Sequence, residues 1–180
     1  QVVVRLRRQQ ATKPLEGHGP HVLPFDAVTS AQWREPATRE APRTPDRWEF
    51  ALAGAAKITL TPSDGMTGDL LGPDGKSLGR LAKDRPFSGE LAGGRYAVEM
   101  RALGRDDRLD YTLDLRSDAL QPGSPRFVDL PATLPFAIAQ DRIVGLTTFG
   151  EQQLTGVLRN EAGDVIERLS GRTDDWNIAL

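Results

Sequence analysis

The sequence predicts an all-β protein, an antiparallel β-sandwich present as one complete copy plus a partial second copy. Three observations carry that expectation. Apolar and polar residues alternate with the two-residue period of a half-buried strand through most of residues 47–116. Turn residues interrupt the alternation at short intervals, as hairpins require and the long crossovers of a parallel sheet do not. Finally, TGDLLGPDGKSLGRL at 67–81 is echoed by TGVLRNEAGDVIERL at 155–169, identical at six of fifteen positions where average usage gives about one.

Taken in order, Gln1–Arg7 sets Val2, Val4 and Leu6 against Val3, Arg5 and Arg7, the pattern of a strand with one buried face. Residues 9–46 hold six of the thirteen prolines, and proline denies a sheet its N–H. This region is expected to be mainly linker, with a short strand at VLPFDAV (22–28) and a helical turn at SAQWRE (30–35). Strands follow at WEFALAG and KITLTP. The GPDG of 72–75 then joins two apolar runs, with Pro73 fixing φ and Gly75 accepting a positive one, so 67–81 is expected to be a hairpin. FSGEL, RYAVEMRAL and DYTLDLR complete the unit, the last two separated by the polar turn GRDDR. The buried face is expected to hold Phe50, Leu52, Ile58, Leu60, Leu70, Leu78, Tyr96, Val98, Leu113 and Leu115. The implied organisation is a trailing strand and linker over 1–46, a first sandwich over 47–118, a linker over 119–129 and a truncated second sandwich over 130–180.

The second copy begins where FAIAQDRIVGL (136–146) answers FALAGAAKITL (50–60). Two extra residues near TTFGEQQ then bring the hairpins into register, Phe87 falls on Trp176, and Leu91 on Leu180. The first copy continues into AGGRYAVEM at this point. A half-built sandwich exposes an apolar face and open strand edges. A neighbouring domain of the same polypeptide, or another protein chain, is therefore the expected partner. QVVVRLR resembles the tail of an earlier copy, and residue 1 is Gln rather than Met, so the sequence reads as a piece of a longer array.

Bulk properties exclude several classes. With 23 basic and 25 acidic side chains and a formal net charge of −2, there is no positive field to gather nucleic acid. No apolar run approaches the roughly 20 residues of a membrane-spanning helix, so membrane insertion is not expected. Cysteine is absent, which removes disulfides, thiolate nucleophiles and Cys-ligated zinc together.

The series F-A-L at 50–52, I-T-L at 58–60, LLGPDGK, LAGGRYAVEM and DYTLDL resembles the bacterial pre-peptidase C-terminal domain, in full over 47–116 and in part over 130–180. Gly94, Arg95 and Tyr96 match that family's entry to a long strand, and Asp110–Leu115 its last strand. The resemblance implies a compact jelly-roll β-sandwich found beside secreted proteases and in large surface or periplasmic proteins. It also implies a location outside the cytoplasm, secreted or in the cell envelope. Some members bind calcium through acidic side chains at strand ends, for which Asp106, Asp107 and Asp110 are the candidates here. Calcium takes six to eight oxygens, and neighbouring aspartates in a polar turn are more often simply solvated, so no cofactor is expected beyond such a structural ion.

No catalytic constellation is legible. The G-x-S-x-G elbow is missing, and the only two histidines, His18 and His21 in GHGPH, lack a third ligand in sequence and read as exposed loop residues. Asp174 and Asp175 are adjacent, so a strand would send them to opposite faces and deny them a glycosidase's paired roles. Gly75-Lys76-Ser77 resembles the end of a phosphate loop, but Leu70 stands where its first glycine belongs. Among the tryptophans, Trp48 and Trp176 read as core, while Trp33 in the linker is the freer candidate to stack on a sugar; Trp33 and Trp48 are the ligand-binding candidates. The expected function is therefore a non-catalytic spacer, scaffold or protein-binding module of a larger bacterial envelope or secreted protein. The alternatives are a carbohydrate-binding module and an accessory domain of a secreted protease.

Overall fold

The computed structural model describes residues 15–35, 43–104, 107–138, 145–148, 153–172 and 177–179, and all regular elements among them are strands. The chain divides into two compact units between Ala137 and Ile138. The boundary lies later than residue 130 because the intervening segment stays fastened to the first unit. Leu120 N–H donates to Pro135 O at 2.7 Å, and Arg126 reaches back to Asp26.

The first unit contains β1 (Leu15–Glu16), β2 (His21–Val22), β3 (Ala27–Arg34), β4 (Asp46–Leu52), β5 (Ala56–Pro62), β6 (Met66–Leu71), β7 (Ser77–Ala82), β8 (Phe87–Leu91), β9 (Gly94–Ala102) and β10 (Arg108–Ser117). They form two five-stranded sheets, ordered β1-β3-β10-β5-β8 and β2-β4-β9-β6-β7. The antiparallel pairing is nested, β6 with β7, β5 with β8, β4 with β9 and β3 with β10. A long hairpin folded so that successive pairs fall on alternate sheets is the jelly-roll arrangement. The short strands β1 and β2 pair in parallel with β3 and β4.

Alternation explains the core. β4 and β5 each bury every second residue, and Trp48, Phe50, Leu52, Ile58 and Leu60 meet Leu70, Leu81, Val98, Met100, Leu113 and Leu115 in one apolar layer between the sheets. At about 25 cal/mol per Å² of apolar surface removed from water, such a layer is the main stabilising term of the sandwich. The expected core holds except at Leu78, which is 45% exposed. Leu78 and Leu81 are three residues apart and so point to opposite faces of a strand. Leu81 takes the interior, while the register shift that pairs Leu70 with Gly79 and Leu71 with Ser77 leaves Leu78 as the bulged residue.

Much of the region expected to be linker belongs to the sheets. Instead of a helical turn, 30–35 contributes to β3, which pairs with β10 residue for residue from Ala27↔Leu115 to Arg34↔Arg108. A complete ladder on a central strand outweighs the weak local preference of SAQWRE for a turn. Phe25 packs edge-on against Phe50 at 5.6 Å, and Phe50 stacks on Tyr96 at 5.4 Å.

The second unit contains β11 (Gly145–Thr147), β12 (Gln153–Arg159), β13 (Val165–Arg172) and β14 (Asn177–Ala179). β11 pairs with β14 and β12 with β13, the nesting of β5–β8 and β6–β7. The inner hairpins agree bond for bond. Gly72 N–H donates to Lys76 O (2.8 Å) and Gly75 N–H to Gly72 O (2.9 Å); Asn160 N–H donates to Asp164 O (3.0 Å) and Gly163 N–H to Asn160 O (3.0 Å). Gly75 and Gly163 both carry positive φ, 76° and 89°, and the register shifts after Leu70 in one hairpin and after Leu158 in the other. The strand expected at Gln1–Arg7, and the expected positions of Asp174, Asp175, Trp176 and Leu180, lie outside the described residues.

Candidate functional site

The strongest concentration of polar chemistry lies in the seam between the two sheets. β4 begins with Asp46, whose side chain points inward and is 1% exposed, and continues with the buried Trp48. From the opposite sheet, β10 contributes Tyr111. Trp48 Nε1–H donates to the Tyr111 hydroxyl at 2.9 Å, and that hydroxyl donates to Asp46 Oδ2 at 2.6 Å. The other carboxylate oxygen, Oδ1, lies 2.7 Å from His18 Nδ1, which acts as donor in the Nδ1–H tautomer. His18 arrives on the segment leading to β2, held in place because its carbonyl accepts from Arg47 N–H at 2.8 Å.

Burial sets the electrostatics of this chain of bonds. It raises the Asp46 carboxyl above its ordinary value, against the opposing pull of the hydrogen bonds from Tyr111 and His18 and the nearby histidine charges. Burial likewise raises the Tyr111 phenol far above its ordinary value, reinforced by the adjacent carboxylate, so it remains a neutral donor. Trp48, Tyr111 and Asp46 thus satisfy one another's buried polar atoms, which is the condition for a polar seam to stabilise a core.

A carboxylate that holds imidazole Nδ1–H leaves Nε2 as an acceptor, the orientation used by a general base. Among the described residues, however, the His18 side chain hydrogen-bonds to Asp46 and to no hydroxyl nucleophile. The two histidines are not the loose loop residues expected. His18 is half-buried against Asp46, and His21 Nε2 lies 2.9 Å from Gly17 O with its ring 5.0 Å from that of Trp48. No group of three or more His, Asp or Glu side chains able to hold a metal occurs among the described residues.

The remaining candidates are dispersed. Trp33 and Trp48 are both fully buried, so neither offers a ring face to a sugar. Trp33 lies within β3, its Nε1–H donating to Thr44 O at 3.2 Å and its ring covered by the Arg43 guanidinium at 4.8 Å. Of the proposed calcium ligands, Asp106 is outside the described residues. Asp107 accepts a backbone hydrogen bond from Glu35 through its carbonyl, and Asp110 Oδ1 accepts from Gln32 on β3. Those two aspartates therefore serve the β3–β10 pairing. A shallow open depression of about 390 Å³ near Met66 and Leu103 is bordered by the exposed Lys83–Asp64 ion pair.

One surface feature had no reading in the sequence. Arg126 is pinned by Asp26 Oδ2 (2.9 Å), Asp118 O (3.0 Å), Ala119 O (3.2 Å) and Ser117 O, and the residues that follow it, Phe127, Val128 and Leu130, are exposed. Phe127 is wholly so. The only sequence signal was three apolar residues in a segment without strand alternation.

Neither a family model nor a curated protein sequence matches the chain. Among solved structures, it is similar to the pre-peptidase C-terminal domain of a collagenase from Bacillus anthracis, at 14% identity and a TM-score of 0.43, over 56% of this chain and 98% of that one. It is also similar to PliG of Aeromonas hydrophila, a periplasmic inhibitor of g-type lysozyme, at 14% identity and a TM-score of 0.40, over 53% of this chain and 95% of that one. No helix among the described residues is long and apolar enough to cross a membrane.

Proposed function

We propose that this chain is a non-catalytic structural and protein-binding module of a larger bacterial envelope or secreted protein. The observation that carries the proposal is the contrast between interior and surface. The buried polar atoms of Trp48, Tyr111 and Asp46 are spent on one another, whereas Phe127, Val128 and Leu130 stand exposed on a segment that Arg126 holds in place. Exposed aromatic and aliphatic side chains on a positioned segment suit a protein contact, where such residues supply most of the binding energy. The envelope or secreted setting follows from the sequence resemblance over 47–116. The carbohydrate-binding alternative loses its two aromatic candidates to the core. The protease-accessory alternative differs only in what the parent polypeptide carries.

The test places a photo-crosslinking amino acid at position 127 of the parent protein in its own cells, with exposed position 57 as control. A discrete protein adduct from 127 and none from 57 is the expected result. Absence of an adduct from 127 overturns the proposal. So does hydrolysis of ester, peptide or glycoside substrates by the purified chain that is lost in His18→Ala.

A further inference from the structure

We infer that residues 124–130 are a preformed, substrate-like loop that blocks the cleft of a serine endopeptidase selective for large apolar residues, with Phe127 filling its primary pocket. The inference rests on the protein-binding reading above and names the class of partner.

The chain that leaves β10 turns back on itself. Leu120 bridges Phe136 and donates its N–H to Pro135 O at 2.7 Å. Just beyond, Ala137 lies so close to Gly54 that a Cβ on the glycine would fall 2.4 Å from the alanine Cβ. Residues 121–135 thus form a surface loop whose ends are joined. Arg126 fixes its first limb: the guanidinium donates to Asp26 and to the carbonyls of Ser117, Asp118 and Ala119. Exposure alternates over 123–127, as in an extended chain whose successive side chains take opposite sides. Locking Arg126 inward therefore turns Phe127 outward, where it is completely exposed.

Three features define what fits this loop. It projects one large apolar side chain from a fixed support, so its complement is concave with an apolar pocket. Among the described residues, no backbone group of 127–134 is hydrogen-bonded, so the complement must also meet an extended main chain. Arg126, with Pro125 and Pro131 on either side of Phe127, holds the segment in one conformation, and docking costs little ordering entropy. A cleft that pairs with an extended main chain and encloses one large apolar side chain is the substrate site of an endopeptidase that cuts after such residues. A loop held this firmly resists the distortion that cleavage requires, so it occupies the cleft without being consumed. Arg126 also sets selectivity. A pocket that demands a cation would need its guanidinium, which is committed to the interior.

Inhibition of chymotrypsin and of trypsin by the full chain, read with small chromogenic substrates, tests this. Competitive inhibition of chymotrypsin and none of trypsin is expected, with the Phe127–Val128 bond intact by mass spectrometry. Phe127→Ala should weaken inhibition at least about thirtyfold. Phe127→Lys should transfer inhibition to trypsin, a gain that no loss of folding can imitate. Arg126→Ala should turn the loop into a substrate cut after Phe127. The inference is overturned by a chain that leaves chymotrypsin uninhibited, by Phe127→Ala inhibiting undiminished, or by Phe127→Lys leaving trypsin untouched. Cleavage after Phe127 as fast as in a peptide of residues 122–133 overturns it as well. A crosslinked adduct from position 127 without inhibition of chymotrypsin defeats this inference and leaves the protein-binding reading standing.

Discussion

The Tyr111 hydroxyl donates to Asp46 across the two sheets at 2.6 Å, and the same oxygen accepts from Trp48. This one group therefore satisfies a buried carboxylate and a buried indole that lie two residues apart on the same strand. Tyr111→Phe keeps the ring and leaves the Trp48 indole N–H and Asp46 Oδ2 without this partner in the core, while Asp46 Oδ1 keeps His18. The expected loss is about 2–4 kcal/mol of unfolding free energy, measured by urea denaturation followed by tryptophan fluorescence. A loss below about 0.5 kcal/mol would mean that water replaces the hydroxyl.

Asp46 gives the fold a defined pH response. Because burial raises its carboxyl in the folded state, the folded protein binds this proton more readily than the unfolded chain does. Its contribution to stability is fully present below the unfolded value, near 3.8, and is lost as pH rises through the raised folded value. Against Asp46→Asn, which cannot titrate, the wild type should gain relative stability as pH is lowered from about 7 toward 4. Denaturation at spaced pH values reads the slope; a wild-type advantage that shrinks on acidification toward pH 4 would show that the hydrogen bonds to the carboxylate outweigh its burial.

Arg126 and Asp26 form a nearly buried pair at 2.9 Å, with side chains 14% and 8% exposed, and Arg126 also ties down three carbonyls. Asp26 itself sits at a positive φ of 57°. Arg126→Ala leaves the carboxylate buried and unpaired and should cost about 3–5 kcal/mol. Arg126→Lys should recover only part of this, because an ammonium cannot spread its donors over four acceptors as a guanidinium does. Full recovery by lysine would reduce the site to a simple charge pair.

Leu78 and Leu81 look alike in the sequence and are expected to behave differently. Leu81→Ala removes a side chain that is completely buried and should cost about 2–5 kcal/mol. Leu78→Ala, at the half-exposed bulge, should cost less than about 1 kcal/mol. Equal losses would place both residues in the core and remove the bulge.

The strands β4 to β10 were legible because each buries one face against the opposite sheet, and a two-residue period records that directly. Phe50, Leu52, Leu113 and Leu115 could be assigned to the interior on that basis alone. The hairpin turns were equally legible, since Gly75 and Gly163 answer a backbone requirement for positive φ that is local to four or five residues.

Local chemistry by itself determined the strands and turns of residues 47–116, the absence of any thiol, and the near-balance of charge, because each of these depends only on composition or on residues near one another in the chain. Tertiary structure alone decided that 30–34 is a strand, since its ladder partner β10 lies far along the chain. It decided which of Leu78 and Leu81 faces the core, because the bulge that separates them is a property of the pair β6–β7. It also joined His18, Asp46, Trp48 and Tyr111, whose polar atoms meet only when the two sheets close and water is excluded from between them.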